Sequence, residues 1–175
     1  HPVDAADHNL PLMYWYAAEP LADIDATKAL ALAMLAGESV PLLRDFMLRR
    51  IGSSDTGSSS RVLVKGIDNA GTESLQLTFL KAIRTALQGQ RQVAAPSDWA
   101  QVSSGLLQSA DQSVRLQTVA LGVTFGDPKA MAIMRARIAD PSADTDARLV
   151  ALHSLLDAND RGLADTLISL VKANT

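Results

Sequence analysis

Apolar residues recur along this chain at helical spacing. Leu75, Phe79, Leu80, Ile83 and Leu87 form one stripe, with the three- and four-residue steps of a helix that buries one face. No run of alternating apolar and polar residues argues for a strand. Punctuation between the stripes marks the helix ends. Asp7-His8-Asn9 stands where a cap belongs, ahead of a helix over 10–18 whose first turn tolerates Pro11. Pro20 ends that helix. Asp25 precedes a Leu/Ala-rich helix over 26–36 closed by Gly37, and Pro41 opens one that runs to Ile51 and stops at Gly52. The Gly/Ser-rich stretch 52–60 reads as a mobile loop. Further helices are expected over 61–69, after a Thr72 cap, and from Pro96-Ser97 through Trp99, Val102, Leu106 and Leu107.

The last third repeats itself. Val114-Arg115-Leu116 returns 33 residues later as Ala147-Arg148-Leu149, and Gly126-Asp127 returns as Asn159-Asp160. Leu116, Val119 and Val123 match Leu149, Leu152 and Leu156. Ala130, Met134 and Ile138 match Leu163, Leu167 and Val171. Each unit, 111–140 and 144–173, reads as helix, turn, helix. A single hairpin cannot bury both of its stripes, so neighbours must stack. The expected fold is all-α: a HEAT-like α–α superhelix of antiparallel helix pairs, roughly nine or ten helices, in one domain over 1–175. The step of 33 is shorter than the ~40–47 residues of ordinary HEAT units. A weaker echo aligns Leu12 and Trp15 with Leu116 and Val119.

Composition narrows the function classes. Hydrophobic residues at 47% against 20% charged suit a packed globule, and the abundance of Ala and Leu suits helices. No apolar run approaches the ~20 residues that span a bilayer, so no membrane insertion is expected. The net charge of −3 argues against nucleic acid, whose binders need a basic excess. The absence of cysteine excludes disulfides, thiolate metal sites, thiol nucleophiles and haem attachment within the chain. The start, His1-Pro2-Val3-Asp4, has neither the basic segment nor the apolar segment of a signal peptide, and it reads as part of something longer.

Candidate chemistry is sparse. The N-terminal cluster combines His8 and Asn9 with Tyr14, Trp15 and Tyr16. Tyr and Trp favour interface hot spots, and three successive aromatics at ~100° per residue cannot all face one core. Either the aromatics pack under the next helices, or part of the cluster faces a partner. Arg44, Arg49 and Arg50 lie on the 41–51 helix, either on a solvated face or as an anion or carboxylate clamp near His8. Arg115 and Arg148 hold equivalent repeat positions and are expected to bind carboxylates or carbonyls of a neighbouring unit, with Asp111, Asp144 and Asp146 as candidate partners. His153, which replaces Ala120, is expected to be buried or half-buried. It has no second ligand at metal spacing, so no metal site is expected. Ser169-Leu170-Val171-Lys172 matches Ser-x-x-Lys, but the other elements of serine acyl-enzymes are missing. The Gly/Ser loop lacks the Gly-Lys-Ser/Thr of a phosphate loop. No catalytic residue is assigned, and the chain is expected not to be an enzyme.

Several segments carry a family resemblance: Asp7-His8-Asn9-Leu10-Pro11-Leu12-Met13-Tyr14-Trp15-Tyr16 with Glu19-Pro20-Leu21, Pro41-Leu42-Leu43-Arg44 with Arg49-Arg50, Gln88-Gly89-Gln90-Arg91-Gln92-Val93, and Phe125-Gly126-Asp127-Pro128. Together they resemble the HEAT-like middle region of large exported haem-binding proteins of the PVC type, often labelled membrane-bound dehydrogenases. Such proteins join a β-propeller, this helical region and a cytochrome c module. The resemblance implies a periplasmic or exported scaffold with no cofactor of its own, covalent haem c elsewhere in the parent protein, and flanking domains as partners. A free-standing protein- or peptide-binding repeat module is the alternative. A HEAT-like DNA-repair glycosylase is a third reading, disfavoured by the acidic balance.

Overall fold

The computed structural model describes residues 2–37, 39–54, 57–90 and 93–173, with backbone alone at 2, 3, 57, 58 and 173. Among the described residues every regular element is a helix. A 3-10 turn, Pro2–Ala6, precedes α1 (Leu10–Ala18), α2 (Leu21–Ile24), α3 (Ala26–Ala36), α4 (Pro41–Ser53), α5 (Gly57–Asp68) and α6 (Glu73–Ala86). Then come α7 (Trp99–Leu106), α8 (Gln112–Thr124), α9 (Pro128–Ala139), α10 (Thr145–Asp157) and α11 (Gly162–Ala173). The chain divides into two compact units, His1–Leu87 with Pro96–Val102, and Gln88–Ala95 with Ser103–Thr175.

In the first unit α4 is central, packing against α1, α2, α3, α5 and α6. It buries Leu43, Met47, Leu48 and Ile51, which share one helical face. Phe79, Leu80 and Ile83 of α6 and Leu63 and Ile67 of α5 are buried as well. Helix starts are capped as the sequence suggests: the Asp25 side chain accepts from the Lys28 amide, and that of Thr72 from the Leu75 amide. Gly37 closes α3 at φ +48°, a left-handed conformation glycine tolerates.

Three expectations for this unit need correction. Pro20 ends α1 but immediately opens the single turn α2, since proline is compatible with a helix start. Gly52 does not stop α4, which continues to Ser53. A Cβ at Gly52 would lie 2.7 Å from the Ala86 Cβ, so the glycine serves close approach of α4 to α6. The loop expected over 52–60 is largely helix. Asp55 and Thr56 lie outside the described residues, but 52 and 53 belong to α4, and α5 starts at Gly57 with Ser59 fully buried. Tertiary packing overrides the poor intrinsic helix preference of Gly and Ser.

In the second unit, α10 begins and ends 33 residues after α8. The α8–α9 and α10–α11 turns also correspond. Gly126 and Asn159 both take positive φ, +77° and +53°. In the first turn the amides of Asp127 and Gly126 donate to Gly122 and Val123. In the second those of Asp160 and Asn159 donate to Leu155 and Leu156. This is the paired closure of a helix that ends on a left-handed residue. A shared core joins Ala120, Val123, Ala130, Met134 and Ile138 of α8 and α9 to Ala151, Leu155 and Leu163 of α10 and α11.

Candidate functional site

The N-terminal cluster sits on α1 and faces α4 of the same unit. Its helix is started by Asp7, whose Oδ1 accepts from the amides of Asn9 and Leu10 at 2.8 and 2.9 Å. These bonds, Leu10 first, hold the Asp7 carboxyl below its ordinary range. Asn9 occupies the cap position without a side-chain capping bond, and both His8 and Asn9 are exposed.

The three aromatics diverge, as ~100° per residue demands. Trp15 turns inward and meets Phe46 of α4 edge-on, with ring centroids 5.5 Å apart and planes at 84°. Tyr14 reaches back along the chain, its hydroxyl donating to Asp4 Oδ2 at 2.8 Å. That bond lowers the Asp4 carboxyl and raises the Tyr14 hydroxyl. Tyr16 points out, 64% exposed.

The arginines separate in the same way. The Arg49 guanidinium lies 5.1 Å from the Phe46 ring centroid, a cation–π contact. Arg50 donates from Nε to Glu19 Oε1 at 2.8 Å and from Nη2 to Asp23, tying the end of α1 and the turn α2 to α4. A carboxylate clamp therefore exists, but its carboxylates belong to this chain. Arg44 pairs with neighbouring Asp45.

Beside these residues runs an open apolar groove of about 600 Å³, lined by Tyr14 and Ala17 of α1, Leu21 and Ile24 of α2, Leu32 of α3 and Leu43 of α4. Ile24, 79% exposed at its rim, was not singled out from the sequence, because the turn that carries it follows Pro20.

No protein-family model, curated protein or solved structure significantly matches this chain.

The second unit holds the remaining candidates. Arg115 Nη1 donates to the backbone carbonyls of Ser109 and Ala110, the latter at 2.9 Å, and Arg148 Nε donates to the carbonyl of Ile138 at 3.2 Å. Both arginines thus satisfy carbonyls at or beyond the end of the preceding helix, where cations are favoured. Asp111 and Asp144 cap α8 and α10 through their side chains, and Asp146 is exposed in the first turn of α10. His153 is exposed, not buried as expected, although the equivalent Ala120 is fully buried. Ala120 lies in the core shared with Ala151 and Leu155 of α10, whereas His153 is not part of that core. Among the described residues no group of three or more His, Asp or Glu side chains gathers as a metal site would, and no helix is long and apolar enough to cross a membrane.

Proposed function

We propose that this chain is a non-catalytic docking domain, a HEAT-like stack of helix pairs whose α1–α4 surface receives another protein domain. The observation that carries this reading is the open apolar groove lined by Tyr14 and rimmed by the exposed Ile24, on an element that Arg50 ties to α4. Aromatic anchors around an apolar depression are what protein interfaces use for most of their binding energy. The Arg50 clamp and the Trp15–Phe46 contact hold α1 and α2 against α4, so the surface is pre-organised and little ordering entropy opposes docking. The 33-residue correspondence of α8 with α10 supports the stacked arrangement.

By resemblance, the partners are a β-propeller and a cytochrome c module of one exported polypeptide, which this domain holds in fixed relation. The haem then belongs to the cytochrome module and not to this chain, which has no cysteine. The test is to recover the native polypeptide with an antibody to this domain, measure its mass and stain it for covalent haem. A large haem-positive chain is expected. A haem-free chain near 18.6 kDa would overturn the spacer role and point to a free-standing binding module.

A further inference from the structure

The walls of the apolar groove in the first unit are helix side chains, among them Tyr14 and Ala18 of α1, Leu21 and Ile24 of α2, Leu32 of α3 and Leu43 of α4. Pro20 lines it as well, and its carbonyl accepts from the amides of Asp23 and Ile24 at the start of α2. Such a wall offers no strand edge for an extended segment to pair with. A segment that enters it must satisfy its own backbone, and a helix does so while presenting an apolar stripe.

The residues interleaved with this lining are acidic. Glu19 stands between the lining residues Ala18 and Pro20, and Asp23 and Asp25 flank Ile24. The Tyr14 hydroxyl donates to the Asp4 carboxylate, and the charge of Asp7 reaches that hydroxyl too. The nearby cations do not balance these groups. Glu19 and Asp23 share the one guanidinium of Arg50, so that cluster stays net negative, and both carboxylates remain part-exposed, at 41% and 54%. Lys28 pairs with Asp25 at 3.2 Å and Arg44 with Asp45 at 2.9 Å, and each pair is neutral. Arg49 lies over Phe46, and neither is a lining residue. Low-dielectric walls beside charge of one sign focus its field on whatever approaches.

We propose that the groove receives a cationic amphipathic helix of another protein, with its apolar stripe on Tyr14, Leu21, Ile24 and Leu43 and its Lys or Arg side chains against Glu19 and Asp23. The inference rests on the docking role given to the α1–α4 surface and adds the chemistry of the partner. The apolar lining supplies affinity, and the carboxylates select the sign of the flanks. Arg50 holds both carboxylates in place before the partner arrives, which lowers the ordering cost of docking. A second copy docking through the same surface would set this acidic rim against itself, so it is a poor occupant.

The probes are two labelled synthetic peptides with the same Leu stripe at helical spacing, one with Lys and one with Glu on its flanks, titrated against the full chain by fluorescence anisotropy. At ~50 mM salt the Lys peptide should bind saturably, become helical on binding, and bind at least about tenfold tighter than the Glu peptide. At ~0.5 M salt that ratio should fall, because part-exposed carboxylates are screened. Ile24→Ser changes no charge and should weaken the Lys peptide at least about fivefold. Glu19→Gln with Asp23→Asn keeps acceptors for Arg50 and should cut the advantage of the Lys peptide at least about threefold. Ile24 is 79% exposed, so Ile24→Ser should keep the parent's circular dichroism and melting. Equal affinity of the two peptides, or preference for Glu, would overturn the cationic partner while the docking role stands. Binding of neither peptide would overturn both. Undiminished binding to Ile24→Ser would overturn the proposal, since charge alone would then hold the peptide. So would a chain that sediments as a dimer dissociated by Ile24→Ser, with a second copy in the groove.

Discussion

The Arg135–Asp160 pair offers a quantitative check on how the second unit is held together. The Asp160 side chain is 7% exposed and that of Arg135 30%, so the pair is neither a surface bridge nor fully dry. Exposed pairs couple by about 0.2–1 kcal/mol, whereas breaking a buried pair from one side costs about 3–5 kcal/mol. The burial seen here sets the expected double-mutant coupling at about 1.5–3 kcal/mol. The single changes should be unequal. Arg135→Ala leaves a carboxylate almost without water and should cost about 3 kcal/mol, while Asp160→Ala leaves a cation that can still reach solvent and should cost roughly half that. Urea unfolding of the four proteins, followed by circular dichroism at neutral pH, gives the cycle. Repeating it at ~1 M salt, where the Debye length is about 3 Å, should preserve most of the coupling because the pair is shielded from ions. A coupling below about 0.5 kcal/mol, or one abolished by salt, would refute the claim that this contact clips α9 to the following turn. Gly162 gives an internal control: its Cβ would stand 3.0 Å from Arg135 Nη1 and 3.2 Å from Cδ. Gly162→Ala should therefore destabilise the parent but not the Arg135→Ala background.

Three further outcomes follow from local geometry. Gly52→Ala should destabilise by about 1–3 kcal/mol through overpacking against Ala86, while Gly105→Ala, with open space around its Cβ, should stabilise by about 0.5 kcal/mol; thermal melts of both variants check the opposite signs. Trp15→Ala should cost about 2–3 kcal/mol by removing the contact with Phe46, whereas Tyr16→Ala, at an exposed side chain, should stay within about 0.5 kcal/mol, which urea unfolding of the two variants would separate. The Asp7 carboxyl is held below its ordinary 3.8 by the Leu10 and Asn9 amides, so its contribution is present above that value and is lost as pH falls through the lowered one. Amide exchange in α1 should accelerate over that acid range, and Asp7→Asn should reduce the dependence on pH to the part carried by the Asp4–Tyr14 bond.

Helix type and most helix starts are legible in this sequence because both arise from short-range chemistry. Asp25 and Thr72 each mark a helix start by capping it, and the apolar stripe of α6 gives its buried face directly. The misreadings occur where distant packing decides. Gly52 looks like a terminator until Ala86 of α6 is found against it, and the Gly/Ser run looks like a loop until Ser59 is found in the core. The candidate site divides along the same line. That the aromatics of α1 must diverge follows from helix geometry, but which one turns inward depends on Phe46, 31 residues beyond Trp15. Arg50 was legible as a cation but not as the partner of Glu19 and Asp23, because the turn that presents Asp23 was hidden behind Pro20.

The 33-residue correspondence of α8 with α10 shows why exposure is harder to read from sequence than helix phase. Periodicity records which face of a helix is apolar, and in that respect Val123 and Leu156 are equivalent. What separates them is the packing of Ala151, Leu155 and Leu163 into the core that holds Val123, which appears in the exposure of each residue. Ala120 must be small because α10 lies over it, whereas the same position one step on carries the larger, polar His153. Arg135 is needed because Asp160 faces it, whereas Ile168 in the next unit meets no such carboxylate in this chain's register.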